Sequence, residues 1–395
     1  MDIKRLEEAE LSGKTALVRV DFNLPRHDNG GITDDTRLLA ALPTIRRLRD
    51  GGAGVVLLSH YGRPKGKADP ALSLSFVVDP LSEALGMPVR FAAHVSDVGT
   101  LQPGEVVVLE NTRFHAGETK NDPAFAAELA AIGDLFVMDA FSVAHRAHVS
   151  ISGLADHLPA YAGLATEREL DHLAQALEHP ERPVMAIVGG SKVSTKIDLL
   201  ENLVRRLDRL AIGGGMANTF LLAKGLDVGR SLAEPDLIGK VADILKAAAK
   251  AGCEIILPVD VVTATAFERG VDTQVRPRDA VRSDEMILDV GTETVTELMD
   301  AMDKSATLIW NGPLGAFETP PFDTSTIEAA KYAARLCRTG KLVAVAGGGD
   351  TVAALNMAGV ADDFTFVSTA GGAFLEWMEG KTLPGVDIVT RKESS

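Results

Sequence analysis

The chain has 395 residues, of which 46% are hydrophobic and 24% charged, and its formal net charge at pH 7 is −15. This length and composition are typical of a globular protein with two domains, each large enough to bury its own core. The acidic balance argues against general binding to nucleic acid or to membrane surfaces, because both require a basic face.

Short apolar runs, rich in β-branched residues, recur along the chain and predict strands. They lie at 16–20, 55–58, 106–109, 135–138, 184–188, 210–212, 254–259, 307–310, 342–346 and 365–367. Runs that are apolar throughout suit strands buried on both faces, as in parallel sheets. Apolar spacings of three and four between them predict helices over 38–48, 197–207 and 327–337. We expect Pro43 to interrupt the first helix and Gly340 to close the last. The alternation predicts an α/β fold with mostly parallel sheets.

The loops after the early strands carry arginine, histidine and short polar side chains. Arg37, Arg63, Arg113 and Arg146 fall in four separate segments, near His60 and His145, while Asp21 and Asn23 follow the first strand. Because the planar guanidinium group donates two parallel hydrogen bonds, this pattern indicates a site for phosphate or carboxylate. Asp21 and Asn23 would take a hydroxyl group of the same ligand.

Several residues in this half keep two interpretations. Asp139 ends an apolar strand as a Walker B aspartate does, but without a Walker A partner a structural role is favoured. His148 either orients a neighbour or packs in the interior. Arg46, Arg47 and Arg49 lie on a predicted helix and are interpreted as a solvated face.

The loops after the later strands are rich in glycine. The stretch VMAIVGGSKVSTK at 184–196 predicts a strand, a tight turn and a helix start, where backbone N–H groups favour phosphate. Lys192 and Lys196 are four residues apart, so they are expected on one helical face. Asp350 is a candidate Mg²⁺ ligand and Glu318 a candidate partner for ribose hydroxyls, although a generic surface glutamate is the alternative for the latter. The glycines at 213–215 and 347–349 either admit a ligand or simply make tight turns.

The motifs together resemble those of the phosphoglycerate kinase family. They are RVDFNLP (19–25), ITDDTR (32–37), HYGRPKG (60–66), LENTRF (109–114), DAFSVAHRAH (139–148), GGSKVSTK (189–196), WNGPLGAFE (310–318), GGGDT (347–351) and STAGGA (368–373). The resemblance extends from about residue 14 to 385 and keeps the family's motif order.

The resemblance implies two Rossmann-like α/β domains joined by a hinge helix. The domain that binds 3-phosphoglycerate is expected over 1–165, the interdomain helix over 166–183 and the nucleotide domain over 184–379, with the tail 380–395 packed back on the first domain. It also implies reversible Mg²⁺-dependent transfer of a phosphoryl group between 1,3-bisphosphoglycerate and ADP, giving 3-phosphoglycerate and ATP. The transfer is expected to be in line, with hinge closure, in a monomer. A cytoplasmic location is expected because the two cysteines, Cys253 and Cys337, make no disulfide framework, and the acidic balance predicts that the protein binds neither nucleic acid nor membrane.

The site residues that the resemblance implies fall into three groups. The 3-phosphoglycerate group is Asp21, Asn23, Arg37, His60, Arg63, Arg113 and Arg146. The nucleotide group is Lys196, Gly214, Gly215, Asn311, Glu318, Gly348, Gly349, Asp350 and Thr351, with Asp350 holding the metal. The group around the transferring phosphoryl is Arg37, Lys192, Gly371 and Gly372.

The chain departs from the family pattern at a few of these motifs. Tyr61 stands where Leu is frequent, and Ser142 and Val143 replace a usual Gly-Thr. Ala370 and Phe374 replace the first glycine and the last serine of the family's usual STGGGAS turn, which opens a helix. Ala370 is compatible with activity if its φ is negative, whereas a positive φ would slow the reaction.

Two other functions are compatible with parts of the pattern. A non-catalytic hinged protein that binds a phosphorylated metabolite would account for the basic loops, but not for Lys192, Lys196 and the GGGDT motif together. A nicotinamide dehydrogenase would need a G-x-G-x-x-G fingerprint after an early strand, which this sequence lacks.

Overall fold

Each of the ten apolar runs overlaps a strand in the computed structural model, which describes residues 1–27 and 30–391. The described chain divides into two compact units. The first comprises Met1–Asp171 and the chain from Thr382 onward, and the second comprises His172–Lys381.

The first unit is built on one six-stranded sheet. Its strands are β1 (Thr15–Arg19), β2 (Gly54–Leu58), β3 (Arg90–Ala92), β4 (Val106–Leu109), β5 (Leu135–Met138) and β6 (Ala160–Ala162). They are all parallel, in the order β3-β4-β2-β1-β5-β6. Every residue of β2, β4 and β5 is buried, as expected of strands covered on both faces. The two edge strands β3 and β6 have three residues each, too few for a periodic signal in the sequence.

Four α-helices begin in the described part of the Met1–Asp171 segment of this unit: α1 (Thr36–Asp50), α2 (Val78–Leu85), α3 (Pro123–Ala130) and α4 (Leu164–Leu177). The prediction that Pro43 interrupts the first helix was wrong, because α1 continues through it. Leu38, Leu42, Ile45 and Leu48 are buried on one side of α1. Burying each such side chain stabilises the fold by about 1.5–3 kcal/mol. The four side chains together therefore contribute more than the roughly 3 kcal/mol that an internal proline costs.

The second unit contains nine strands in two sheets. They are β7 (Val184–Val188), β8 (Arg209–Ile212), β9 (Glu254–Ile256), β10 (Asp260–Ala264), β11 (Gln274–Pro277), β12 (Met286–Val290), β13 (Thr307–Asn311), β14 (Val343–Gly347) and β15 (Phe366–Ser368). The larger sheet is parallel, in the order β15-β14-β13-β7-β8-β9. Strands β11, β10 and β12 form a separate antiparallel sheet that the sequence did not indicate. Its strand β11 is largely exposed and contains arginine and proline, so it lacks the apolar run used to find the others.

Seven helices follow in this unit: α5 (Ile197–Leu203), α6 (Gly214–Ala223), α7 (Ile238–Ala251), α8 (Thr292–Asp303), α9 (Thr324–Arg338), α10 (Gly349–Ala358) and α11 (Gly371–Met378). Helix α9 covers the predicted helix at 327–337, and Gly340 lies just beyond its end with a φ of +68°. Among the helices of the described residues, none combines the length and apolar character needed to cross a bilayer.

The end of the chain returns to the first unit. The N–H of Gly385, in helix α12 (Pro384–Asp387), donates to the carbonyl of Ala144, and Thr390 forms a bridge with Ile3. Arg391 forms ion pairs with Asp2 and Glu8. Of the tail expected over 380–395, residues 392–395 lie outside the described residues.

Candidate functional site

The predicted anion-binding residues of the first unit follow strands that are neighbours in its sheet. Asp21 and Asn23 come after β1, His60 and Arg63 after β2, Arg113 after β4, and Arg146 after β5. Because β4, β2, β1 and β5 are adjacent and parallel, their carboxyl ends lie at one edge, which is where α/β sheets bind ligands. We call these residues and Arg37 the arginine cluster.

Arg37 is held by the loop after β1. Its guanidinium group donates to the carbonyl of Asn23 at 3.0 Å and lies 3.2 Å from Oδ2 of Asp21. The side-chain oxygen of Asn23 accepts a hydrogen bond from the N–H of Gly62 at 3.0 Å. These contacts join the loops after β1 and β2 and orient the guanidinium group of Arg37.

Arg113 is a buried cation with spare donor capacity. One of its terminal nitrogens donates to the carbonyl of Gly62 at 2.8 Å, while its buried Nε has no hydrogen-bond partner among the described residues. Burial, followed by the nearby Arg146 and Arg19 guanidinium groups, lowers the pKa of Arg113 to about 10. An anion bound here would satisfy the donor and relieve the repulsion between these cations.

Two histidines lie within the same positive field. Burial and then the charges of Arg19, Arg113 and Arg146 hold the pKa of His60 far below its ordinary value. Burial and then Arg113 lower the pKa of His148 to about 4. Both imidazoles are therefore neutral at pH 7. Nε of Arg146 donates to Nε2 of His145 at 3.3 Å.

Sequence reasoning missed three buried polar residues beneath the cluster, Arg19, Glu118 and Ser150. An arginine within the apolar run of β1 is itself a signal, because charged side chains are almost never fully buried unless they are paired. Glu118 and Ser150 lie in polar segments and carry no such signal.

The second unit contains a cavity of about 440 Å³ at the carboxyl end of its parallel sheet. The predicted residues that line it are Gly214, Gly215, Glu318 and Asp350. Apolar walls are contributed by residues that include Leu232, Phe267 and Leu314. A cavity of this size, with apolar walls and a few polar groups, fits a nucleotide-sized ligand. We call it the glycine pocket.

The glycines of this pocket let two loops approach closely. Gly214 has a φ of +64°, and a Cβ placed there would lie 2.6 Å from the carbonyl oxygen of Gly190. A Cβ on Gly215 would lie 2.7 Å from the carbonyl oxygen of Ser191. The close contact of the loops after β7 and β8 therefore requires glycine at both positions.

Lys196 and Asn311 form one buried unit beside the pocket. The ammonium group of Lys196 donates to Oδ1 of Asn311 and to the carbonyl of Gly189 at 2.6 Å. Nδ2 of Asn311 in turn donates to the carbonyl of Gly347 at 2.7 Å. Burial lowers the pKa of Lys196 to about 8, with Asp350 acting in the opposite direction. Asn311 thus orients Lys196 and is not among the pocket-lining residues.

The expectation that Lys192 and Lys196 share a helical face was wrong. Lys192 has an extended backbone and precedes a single 3₁₀ turn over Val193–Thr195, and helix α5 begins only at Ile197. The periodicity of an α-helix therefore does not apply between the two lysines. Lys192 is exposed, whereas Lys196 is largely buried.

The GGGDT motif forms the start of α10. Gly348 has a φ of +99°, and a Cβ there would lie 2.7 Å from Nδ2 of Asn311. Gly349 opens the helix and Asp350 is exposed in its first turn. Thr351 is buried, and its hydroxyl oxygen accepts a hydrogen bond from the N–H of Gly312 at 2.7 Å. Thr351 therefore supports the loop after β13.

The start of α11 accommodates both unusual residues, Ala370 at its N-cap and Phe374 in the helix itself. Ala370 has a φ of −90°, which any residue adopts. The negative φ required for alanine at this position to be compatible with activity is therefore present. Gly371 and Gly372 form the first turn of α11. The ring of Phe374 is fully buried and packs against the backbone of Gly347.

Comparison with known proteins gives one consistent result. A family model described as phosphoglycerate kinase matches residues 6–381. The phosphoglycerate kinase of Caulobacter vibrioides (strain NA1000 / CB15N) is 62% identical over 392 residues, covering 98% of this chain and 99% of that protein. The phosphoglycerate kinase of Maricaulis maris (strain MCS10) is 59% identical, covering 98% of each chain.

Solved structures agree with this result. The structure of phosphoglycerate kinase from Coxiella burnetii superposes with a TM-score of 0.93 at 41% identity. The structure of phosphoglycerate kinase from Pyrococcus horikoshii OT3 has a TM-score of 0.80 at 30% identity. Each comparison covers 98% of both chains.

Proposed function

This chain belongs to the phosphoglycerate kinase family, and from that premise we propose which of its residues hold each substrate. It is a phosphotransferase with a carboxyl group as acceptor, which interconverts 1,3-bisphosphoglycerate and ADP with 3-phosphoglycerate and ATP in glycolysis and gluconeogenesis. The alternatives of a non-catalytic binding protein and of a dehydrogenase have no support from relatives of 56–62% identity.

We propose that the arginine cluster of Asp21, Asn23, Arg37, His60, Arg63, Arg113 and Arg146 binds 3-phosphoglycerate. The observation that carries this proposal is the buried Nε of Arg113, which has no partner in the described chain and is surrounded by further cations. A ligand with a phosphate and a carboxylate supplies the missing acceptors and negative charge. Asp21 and Asn23 would orient Arg37 and accept from the ligand's hydroxyl group.

We propose that the glycine pocket binds ADP and ATP. Gly214 and Gly215 admit the nucleotide close to the backbone, Glu318 accepts from the ribose hydroxyls, and Lys196 faces the phosphates. Gly348, Gly349, Asn311 and Thr351 would maintain the shape of the phosphate end of the pocket. The support is the cavity volume of about 440 Å³ and the position of Asp350 and Glu318 on its wall.

Magnesium fits the phosphate end of this pocket. Residues 1–27 and 30–391 contain no group of three His, Cys, Asp or Glu side chains that could hold a metal ion unaided. Mg²⁺ usually binds through one or two carboxylates together with substrate phosphates, and the exposed carboxylate of Asp350 is such a ligand. The bound ion would neutralise charge on the phosphate oxygens.

For the transfer itself we propose that Arg37, Lys192 and the N–H groups of Gly371 and Gly372 stabilise the transferring phosphoryl group. Phosphoryl transfer in line needs little covalent help from the protein, and positioning and charge neutralisation provide most of the rate. The amides at the start of α11 suit this role because a helix N-terminus attracts anions.

In domain terms we propose a phosphoglycerate domain over 1–165, a hinge over 166–183 and a nucleotide domain over 184–379. Transfer would require hinge closure on both substrates, because ATP and the acyl phosphate must be protected from water. Small-angle scattering with and without both substrates at saturation tests this, and an unchanged curve contradicts closure.

We also propose that the protein is a cytoplasmic monomer that binds neither nucleic acid nor membrane, with light scattering as the test of its mass.

The decisive experiment measures transfer of labelled γ-phosphate from ATP to 3-phosphoglycerate in the presence of Mg²⁺, with hydroxylamine trapping the acyl phosphate. Wild-type enzyme should give hydroxamate and Arg37→Ala should lose most of it. Arg47→Ala, an exposed arginine on the same helix α1, is the matched control and should behave as wild type. Equal product from Arg37→Ala would contradict the assignment of Arg37.

A further inference from the structure

Arg19 is a fully buried cation on strand β1, directly beneath the arginine cluster. Only 1% of its surface is exposed, yet its guanidinium group reaches three polar partners. One terminal nitrogen donates to the hydroxyl of Ser150 at 2.6 Å and lies 3.8 Å from Oε1 of Glu118. The other lies 2.7 Å from Nδ1 of His60.

The contact between Arg19 and His60 determines where the imidazole carries its proton. A guanidinium group has only donors, and it stays charged in proteins. Nδ1 of His60 must therefore accept, so it carries no hydrogen. A neutral imidazole holds one N–H, and that N–H is then on Nε2, at the other side of the ring.

The groups around His60 oppose a second proton on its ring. The charged and titratable groups that act on the imidazole are Arg19, Arg113, Arg146 and His148, and all of them disfavour its cationic form. A protonated Nδ1 would also point its hydrogen at the guanidinium of Arg19. His60 is thus restricted to one tautomer and one charge state.

Glu118 fixes the position of Arg19. This carboxylate is fully buried and accepts hydrogen bonds from the N–H of Ser150 at 3.1 Å and from the hydroxyl groups of Ser150 at 2.5 Å and Thr112 at 3.2 Å. It supplies the negative charge that a buried guanidinium requires. The path from Glu118 through Ser150 and Arg19 to His60 is therefore continuous.

We propose that Arg19 is a positioning residue of the 3-phosphoglycerate site, which holds His60 as the neutral Nε2–H tautomer so that it offers the substrate one uncharged donor. The inference rests on the proposed assignment of the arginine cluster to 3-phosphoglycerate. A neutral donor adds a directional hydrogen bond to a substrate oxygen without adding a further cation to the arginines.

The first test observes the tautomer in the wild-type enzyme and needs no substitution. The chain has nine histidines, and long-range ¹H–¹⁵N spectra of the ¹⁵N-histidine-labelled enzyme report both ring nitrogens of each. The signals missing from His60→Gln identify His60. We expect an unprotonated Nδ1 and a protonated Nε2 with constant shifts between pH 6 and 8. A protonated Nδ1 in this range would overturn the proposal.

The second test separates positioning from a purely structural role. In Arg19→Met/Glu118→Gln both buried charges are removed together, so neither is left unpaired. Relative to wild type, we expect the KM for 3-phosphoglycerate to rise about threefold to tenfold, as for loss of one hydrogen bond, with an unchanged KM for the nucleotide as the control for a general structural effect. An unchanged KM for 3-phosphoglycerate, or an equal rise in both KM values, would overturn the role of Arg19.

The His60 substitutions distinguish failure of this inference from failure of the site assignment. The side-chain amide of His60→Gln places a donor near the position of Nε2, whereas His60→Asn reaches only as far as Nδ1. We expect Gln to retain more affinity for 3-phosphoglycerate than Asn. If neither variant changes that affinity, the assignment of the cluster is wrong. If Asn is the better substitute, the site stands and the tautomer proposal is wrong.

Discussion

The hydroxyl of Ser142 donates a hydrogen bond to Oδ2 of Asp21 at 2.6 Å, and the same carboxylate oxygen lies 3.2 Å from the guanidinium of Arg37. Ser142 thus helps to hold the pair that orients Arg37. Ser142→Ala should raise the KM for 3-phosphoglycerate by about fivefold, since a net hydrogen bond is worth about 1 kcal/mol. Steady-state kinetics with both substrates checks this, with the exposed Ser12→Ala as control. A variant with unchanged KM would mean that Arg37 is oriented without Ser142.

Gly214→Ala should disable the glycine pocket. The new Cβ would lie 2.6 Å from the carbonyl oxygen of Gly190 on a backbone with a φ of +64°. Such strain costs about 1–3 kcal/mol, so we expect a lower Tm and at least a tenfold weaker Kd for ADP. Gly239→Ala in α7 is the control, because its Cβ meets open space and should leave binding unchanged. Normal ADP binding by Gly214→Ala would contradict the close approach of the two loops.

Nucleotide affinity should fall as the pH rises above 8. Burial lowers the pKa of Lys196 to about 8, so the free enzyme loses this positive charge at a pH where most lysines keep theirs. If the phosphates bind the protonated form, log Kd rises with a slope approaching 1 above pH 8. Calorimetric titration with ADP from pH 7 to 9.5 measures the slope. Lys192→Met should keep it and Lys196→Met should abolish it. A flat profile in the wild type would remove Lys196 from the phosphate contacts.

Asp139 should make the first unit less stable as the pH rises. Burial raises the pKa of this carboxyl to about 7, while Oδ1 accepts from the N–H groups of Ala165 and Thr166 at the start of α4. Between the unfolded pKa of about 3.9 and the folded value, the folded state binds more protons, so stability falls by up to about 1.4 kcal/mol per pH unit.

The raised pKa of Asp139 is checked by comparing the Tm of a variant with that of wild type at several pH values. Asp139→Asn keeps an acceptor for both N–H groups but cannot ionise. Its Tm relative to wild type should increase from pH 5 to pH 8, while the exposed Asp156→Asn shows no such trend. A constant difference across this range would contradict the raised pKa.

The start of α11 should respond to a different extent at its two unusual positions. Ala370 has a φ of −90°, so Ala370→Gly removes no strain and should leave kcat unchanged while costing about 0.5–1 kcal/mol of stability. Phe374→Ser would leave a cavity against Gly347 and should cost about 3–5 kcal/mol. Denaturant unfolding and kcat measurements check both, and a faster Ala370→Gly enzyme would mean that Ala370 limits the rate.

The parallel sheets were predictable because each central strand is a continuous apolar run, and burial on both faces leaves that signal in the sequence alone. The antiparallel sheet of β10–β12 was not, because its exposed strand β11 mixes Val275 with Arg276 and Pro277 and has no such run. Predictions from local residue spacing were wrong at two places. At Pro43, the stabilisation from burying one helix face exceeds the cost of the proline, so the helix continues. At Lys192, the chain makes a 3₁₀ turn instead of an α-helix.

By itself the sequence determined the family, the reaction and the residue types available at the ends of the strands. These follow from long motifs that occur along the chain in the order found in the family. Only the tertiary structure decided which of those residues face a cavity and which support a neighbour. Asn311 and Thr351 belong to the site motifs, yet both are buried and hold other groups in place. Arg19 and Glu118 are 99 positions apart in the chain and 3.8 Å apart in space. The interaction energy of such a pair depends on its burial and on the distance between the charges. Both arise only when the chain folds, so a local sequence pattern does not predict them.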